Sequence, residues 1–91
     1  MLLVAYDISD DRLRTRFAKM LSRYGYRLQY SIFEIKNSRR ILDNITVEIS
    51  TDFEPEFQQT DSIIIFRFSK QCKITRFGYA GNDDEELIIL W

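Results

Sequence analysis

Apolar residues fill both sides of the opening segment, with Leu2, Val4 and Tyr6 on one side and Leu3 and Ala5 ahead of Asp7 on the other. This pattern predicts a strand over Leu2–Ile8. A strand with two apolar sides is covered twice, and in a short chain its own helices can cover only one of them. The second cover is expected from another subunit. Ser9 with Asp10 and Asp11 behind it predicts a helix start, Ser9 as N-cap. Leu13, Phe17, Met20, Leu21 and Tyr24 then recur at helical spacing to about Tyr24, and Gly25 ends the helix. The same periodicity sets Arg12, Arg16, Lys19 and Arg23 in a basic stripe along one flank, with Arg14 on the opposite flank.

Tyr26–Lys36 alternates around Leu28, Tyr30, Ile32 and Phe33, as expected of one long bulged strand or of a tight hairpin. Ser38 is placed to cap a second helix through about Ser50, with Ile41, Leu42, Ile45 and Ile49 on one side. Ile45, Val47 and Ile49 also alternate, so a strand is the competing assignment there. Thr51–Thr60 reads as a polar connection, and Ser62–Phe68 as a strand that Cys72–Phe77 joins after a turn around Ser69–Gln71. Strand, helix, strands, helix, strand is the α+β order of a ferredoxin-like (βαββαβ-type) domain, an antiparallel sheet with two helices on one face. It would occupy residues 1–78, with the open sheet face predicting a homodimer by sheet packing. Residues 79–91 are expected to form an acidic hinge and a C-terminal strand, Leu87–Trp91, exchanged between subunits or docked on another protein.

Ninety-one residues suit one domain, which excludes an enzyme built from separate cofactor and substrate domains. The net charge of −1 hides an asymmetry: residues 1–40 hold nine basic against four acidic groups, and the remainder four against ten. That division points to a basic face for an anionic partner. One cysteine, Cys72, and no histidine exclude an intrachain disulfide, a Cys/His zinc site and histidine catalysis. Proton transfer falls to carboxylates, Tyr, Lys or water. No apolar run approaches the ~20 residues of a membrane span and no basic leader precedes the first strand, so a cytoplasmic protein without a membrane partner is expected.

Asp7 closes the first strand beside the start of the basic helix. By spacing alone, an Asp at such a junction more commonly caps the helix. It also has the chemistry for a hard divalent cation, because Mg²⁺ commonly takes one or two carboxylates and keeps several waters. One Asp per subunit would suffice if a two-fold axis brought two copies together, and the nearby arginines would neutralise phosphate. Arg27 could touch phosphate but is more readily a surface residue. Asp83, Asp84, Glu85 and Glu86 fit a solvated hinge better than a ligand set.

The order Tyr6-Asp7-Ile8-Ser9-Asp10-Asp11, then Arg14, Tyr24-Gly25 and Gln29-Tyr30-Ser31-Ile32-Phe33-Glu34 resembles the small CRISPR-associated adaptation protein, the Cas-two family. The match is continuous over residues 2–36 and looser through Ser62–Phe68 and Phe77-Gly78, together about half of the chain. The resemblance implies a ferredoxin-like homodimer that works with the CRISPR integrase subunit in acquiring spacers from foreign DNA. It implies Asp7 as the metal-binding, catalytic position, with Mg²⁺ (Mn²⁺ possible), and the adjoining Tyr6 beside it. Arg14 and Arg16, with Arg12, Lys19 and Arg23 of the stripe, and Phe33 become nucleic-acid-binding candidates. Leu13 stands where relatives are often basic, and Ile35-Lys36-Asn37-Ser38 lacks their Gly-rich wording.

Two functions follow, a metal-dependent endonuclease acting on RNA or DNA and a non-catalytic DNA-binding scaffold that recruits the integrase through Leu87–Trp91. A third, an RNA-recognition module of similar topology, needs stacking aromatics with adjacent basic residues on central strands. Ser62–Phe68 is too uniformly apolar to supply them.

Overall fold

The computed structural model describes residues 1–69, 71–75, 77 and 78. Along them run β1 (Leu2–Asp7), α1 (Asp11–Ser22), β2 (Gly25–Gln29), β3 (Ile32–Ile35), α2 (Arg39–Glu48) and β4 (Ser62–Arg67). The sheet order is β2-β3-β1-β4 with every neighbouring pair antiparallel. This is the α+β, ferredoxin-like arrangement.

β1 is the central ruler. Ala5 pairs with Ile32 of β3 and Ile64 of β4, and Asp7 pairs with Ser62. Leu2, Val4 and Tyr6 are buried together with Leu13, Phe17 and Leu21 of α1 and Ile45 of α2, so both helices cover the same sheet face. Alternation sends Leu3, Ala5 and Asp7 to the other face with Ile64 and Phe66, which are 53% and 44% exposed. Stacked rings of Phe66 and Phe68, 6.1 Å apart, extend this open apolar surface.

Several boundaries differ from the pattern-based expectation. The N-cap of α1 is Asp10 and not Ser9: an Asp10 carboxylate oxygen accepts from Leu13 N at 2.8 Å. Ser9 instead turns to Asp61, donating from its backbone N at 3.0 Å and from its hydroxyl at 2.9 Å. α1 ends at Ser22, before Tyr24. Gly25 opens β2, and a Cβ there would lie 1.9 Å from the Glu34 carbonyl oxygen, so glycine permits the closest part of the β2–β3 pairing. Of the two alternatives for residues 26–36 the hairpin holds and the single long strand falls, because β2 and β3 pair antiparallel with each other; the irregularity lies within the hairpin, between Arg27 and Gln29.

Ser38 does cap α2, accepting from Ile41 N at 3.3 Å, and the strand alternative for Ile45–Ile49 falls because that segment is helical. The expected polar connection after it is partly structured. Ile49–Phe53 continues as a π-helical turn and Glu54–Glu56 as a 3₁₀ turn, which tucks Phe53 edge-on against Phe17 at 5.1 Å. Beyond β4, Phe68 still pairs with Met1, and Cys72 N donates to Ser69 O as the expected turn requires. Residues 72–75 and 77 form no strand, so the expected Cys72–Phe77 pairing is corrected. The acidic hinge and Leu87–Trp91 lie outside the described residues.

Candidate functional site

Asp7 stands exposed at the carboxyl end of β1, on the open sheet face. Its neighbour Tyr6 points the opposite way, into the core, 5% exposed, with its ring 4.9 Å from that of Phe17. The two candidate catalytic residues therefore do not share one pocket, because consecutive strand residues face opposite sides. Burial raises the Tyr6 hydroxyl above its ordinary value of 10.0, with Arg27 and Arg14 acting against that. It therefore keeps its proton near neutrality, and its nearest acceptor is the Tyr30 carbonyl at 3.4 Å.

The segment after Asp7 is pinned by hydrogen bonds. Asp61 accepts from Ser9 and from Gln58 N at 2.9 Å, and these bonds, Gln58 first, lower its carboxyl below the usual value. Arg14 donates to the carbonyl of Ile8 at 2.9 Å and pairs with Asp11, which raises its guanidinium further. Sequence reasoning missed Asp61; the signal was an acidic residue just ahead of β4, whose first residue pairs with Asp7.

The basic stripe is less free than its periodicity suggests. Arg16 pairs with Glu56 at 3.2 Å and lies 5.3 Å over the Phe53 ring, and Arg23 holds both Glu48 oxygens at 2.9 and 2.7 Å. Exposed pairs of this kind are worth ~0.2–1 kcal/mol, so phosphate can compete, but only by displacing a carboxylate. Arg12 and Lys19 are exposed on the same helix and have no acidic partner among the described residues. Phe33 is corrected as a nucleic-acid contact. It is 1% exposed in the core, with Arg27 5.3 Å from its ring centre.

For Mg²⁺ or Mn²⁺ the donor set is hard but sparse. No group of three His, Cys, Asp or Glu side chains that could hold an ion occurs among the described residues. Asp7 alone fits the hydrated mode of Mg²⁺, one or two carboxylates with the remaining positions filled by water. A second carboxylate would come from another copy.

Comparison with known families decides between the many uses of this fold. The family model for CRISPR associated protein Cas2 matches residues 1–76. The chain belongs to the Cas2 family. A Cas2 relative from Methanospirillum hungatei, named a CRISPR-associated endoribonuclease, is 31% identical over 90 residues, 97% of each chain. Another of that name from Rhodospirillum rubrum is 32% identical over 89 residues, covering 98% of this chain and 69% of the relative. Among solved structures, a hypothetical protein from Thermus thermophilus superposes with a TM-score of 0.70 at 28% identity, over 89% of this chain and 95% of the other. Streptococcus pyogenes Cas2 superposes with a TM-score of 0.64 at 24% identity, over 77% and 87%, which attests the Cas2 fold. No helix among the described residues is long and apolar enough to cross a membrane.

Proposed function

We propose that this Cas2-family chain is a CRISPR adaptation component that binds nucleic acid as a homodimer and cleaves it as a metal-dependent endonuclease centred on Asp7. The observation that carries this reading is the placement of Asp7 on the rim of an exposed apolar sheet face, in line with Leu3 and Ala5 and across from Ser62. Packing that face against a second copy would bury Ile64 and Phe66 and bring two such strand ends into one interface. Asp7 from one or both subunits would hold Mg²⁺ or Mn²⁺, which supplies polarisation of a phosphodiester and activation of water. Tyr6 contributes from the core side by fixing the strand end, and not as a proton donor at the metal. The names of the relatives favour RNA, while the integrase partner implied by the family resemblance favours DNA.

The scaffold alternative has its own support. The lack of any three-ligand cluster among the described residues, and arginines tied to Glu48 and Glu56, suit binding as well as cleavage. The two separate in one experiment comparing wild type with Asp7→Asn on labelled single-stranded RNA and duplex DNA, with Mg²⁺, Mn²⁺ or EDTA. Metal-dependent cleavage lost only in the variant is the expected result. Equal background cleavage in both, with binding intact, would make the protein a scaffold.

A further inference from the structure

The Asp7 side chain is exposed, but the backbone that carries it is held on every side. Ahead of it, Tyr6 N donates to the Ser31 carbonyl at 3.1 Å, and Asp7 itself pairs with Ser62 of β4. Behind it, the Ile8 side chain is buried and Arg14 donates to the Ile8 carbonyl at 2.9 Å. Ser9 then gives both its backbone N–H and its hydroxyl to one oxygen of Asp61, at 3.0 and 2.9 Å. The adjacent residues Asp61 and Ser62 thus grip the chain on either side of Ile8, Ser62 at Asp7 and Asp61 at Ser9. The other Asp61 oxygen accepts from Gln58 N at 2.9 Å, while Asp61 N donates to the Gln58 carbonyl at 3.0 Å, which ties the same carboxylate to the turn ahead of β4. Both oxygens are therefore already engaged by donors of the protein, the condition of a group that organises backbone and not of a ligand waiting for an ion.

We propose that Asp61 is a positioning residue for Asp7: by holding Ser9 against the start of β4 it fixes the strand end from which the Asp7 carboxylate projects. The proposal rests on the reading of Asp7 as the metal position. Asp has a short side chain, so a fixed backbone confines its carboxylate to a few staggered directions. A site built this way binds an ion without first having to order its ligand, and it loosens when the supporting contact is removed even though the ligand itself is untouched. Asp61 acts through Ser9, and neither residue touches the ion.

The test measures Mn²⁺ affinity by electron paramagnetic resonance for full-length wild type, Asp7→Asn, Asp61→Ala, Ser9→Ala, Ser9→Thr and the Asp61→Ala/Ser9→Ala double variant, each shown to be folded by circular dichroism at the temperature used. Amide hydrogen exchange over residues 7–9 is followed on the same proteins in EDTA. Asp61→Ala is expected to weaken Mn²⁺ binding about tenfold, the low end for loss of a supporting contact, and to speed exchange at Ser9. Ser9→Ala should weaken binding by a smaller factor, and Ser9→Thr, which keeps the hydroxyl, should restore it. The double variant should bind no worse than Asp61→Ala, because both changes break one contact. The Ser9 pair carries the test by itself if Asp61→Ala does not fold. Mn²⁺ affinity unchanged in Asp61→Ala or, where that variant does not fold, in Ser9→Ala overturns the proposal even if exchange at Ser9 quickens, since the clamp then holds only the turn. Binding abolished in Asp61→Ala as completely as in Asp7→Asn, with both Ser9 variants like wild type, overturns it by making Asp61 a ligand. Wild type that binds no Mn²⁺, or binds it equally well as Asp7→Asn, overturns the metal reading of Asp7 and the positioning role with it.

Discussion

Gly25 and Asp61 are the residues where local geometry makes the sharpest demands. A methyl group on residue 25 would fall inside the Glu34 carbonyl, and the obstacle is backbone in a paired strand, not a side chain that can swing away. Gly25→Ala is therefore predicted to destabilise by about 1–3 kcal/mol through forced separation of β2 from β3, measured by urea unfolding. A variant within a few tenths of wild type would mean the hairpin end can open at little cost. Asp61 has its folded value depressed, so its contribution is fully present above the unfolded carboxylate range, about pH 4, and disappears as pH falls through the lower folded value. The stability gap between wild type and Asp61→Asn should thus be open near about pH 7 and narrow by about pH 3. A gap independent of pH would remove charge from the account of how Ser9 is held. Neither demand was legible beforehand: Gly25 read as a helix terminator and Asp61 fell between the polar connection and the last strand, because both depend on a segment distant in sequence.

Elements were legible where a repeat persisted and obscure where it stopped. Leu13, Phe17 and Leu21 specified α1, and Ser38 specified the start of α2 with its cap. The N-cap of α1 slipped by one because Ser9, Asp10 and Asp11 are all competent caps, and the choice was made by Asp61 capturing Ser9. Asp10→Ala should accordingly cost about 1 kcal/mol, the ordinary worth of a cap, with thermal unfolding as the readout. Phe53 was hidden in a polar stretch of Asp52, Glu54, Pro55 and Glu56. Only the π-helical turn after α2 rotates its ring into the core, 4% exposed and against Phe17. Phe53→Ala is predicted to lose about 3 kcal/mol or more, the cost of a cavity beneath two helices, whereas the flanking exposed glutamates should tolerate change. The residues predicted to read phosphate were legible as a charge stripe, but their partners were not, since Glu48 and Glu56 lie on a different element.

At the scale of the whole molecule the sequence already held one prediction that the single chain leaves standing, namely that β1 is apolar on two sides while its helices cover one. Ile64 and Phe66 remain about half exposed on the uncovered side, beside Leu3 and the stacked Phe68. Contiguous apolar surface of this kind on a small domain marks an interaction site or an aggregation liability. A domain of this size also buries only ~60–65% of its unfolded surface, so association adds stability that the monomer lacks. The proposed homodimer predicts a light-scattering mass near twice 10.9 kDa at micromolar concentration. Phe66→Glu should lower it to one chain with the circular dichroism of the fold retained, since Phe66 points away from the helices and its replacement leaves the core intact. The same variant should lose metal-dependent cleavage if the ion needs both subunits, and keep it if one Asp7 and water suffice. A wild type that scatters as a monomer would overturn the sheet-packed dimer, and Asp7 would then have to bind metal on an open surface without the carboxylate of a second copy.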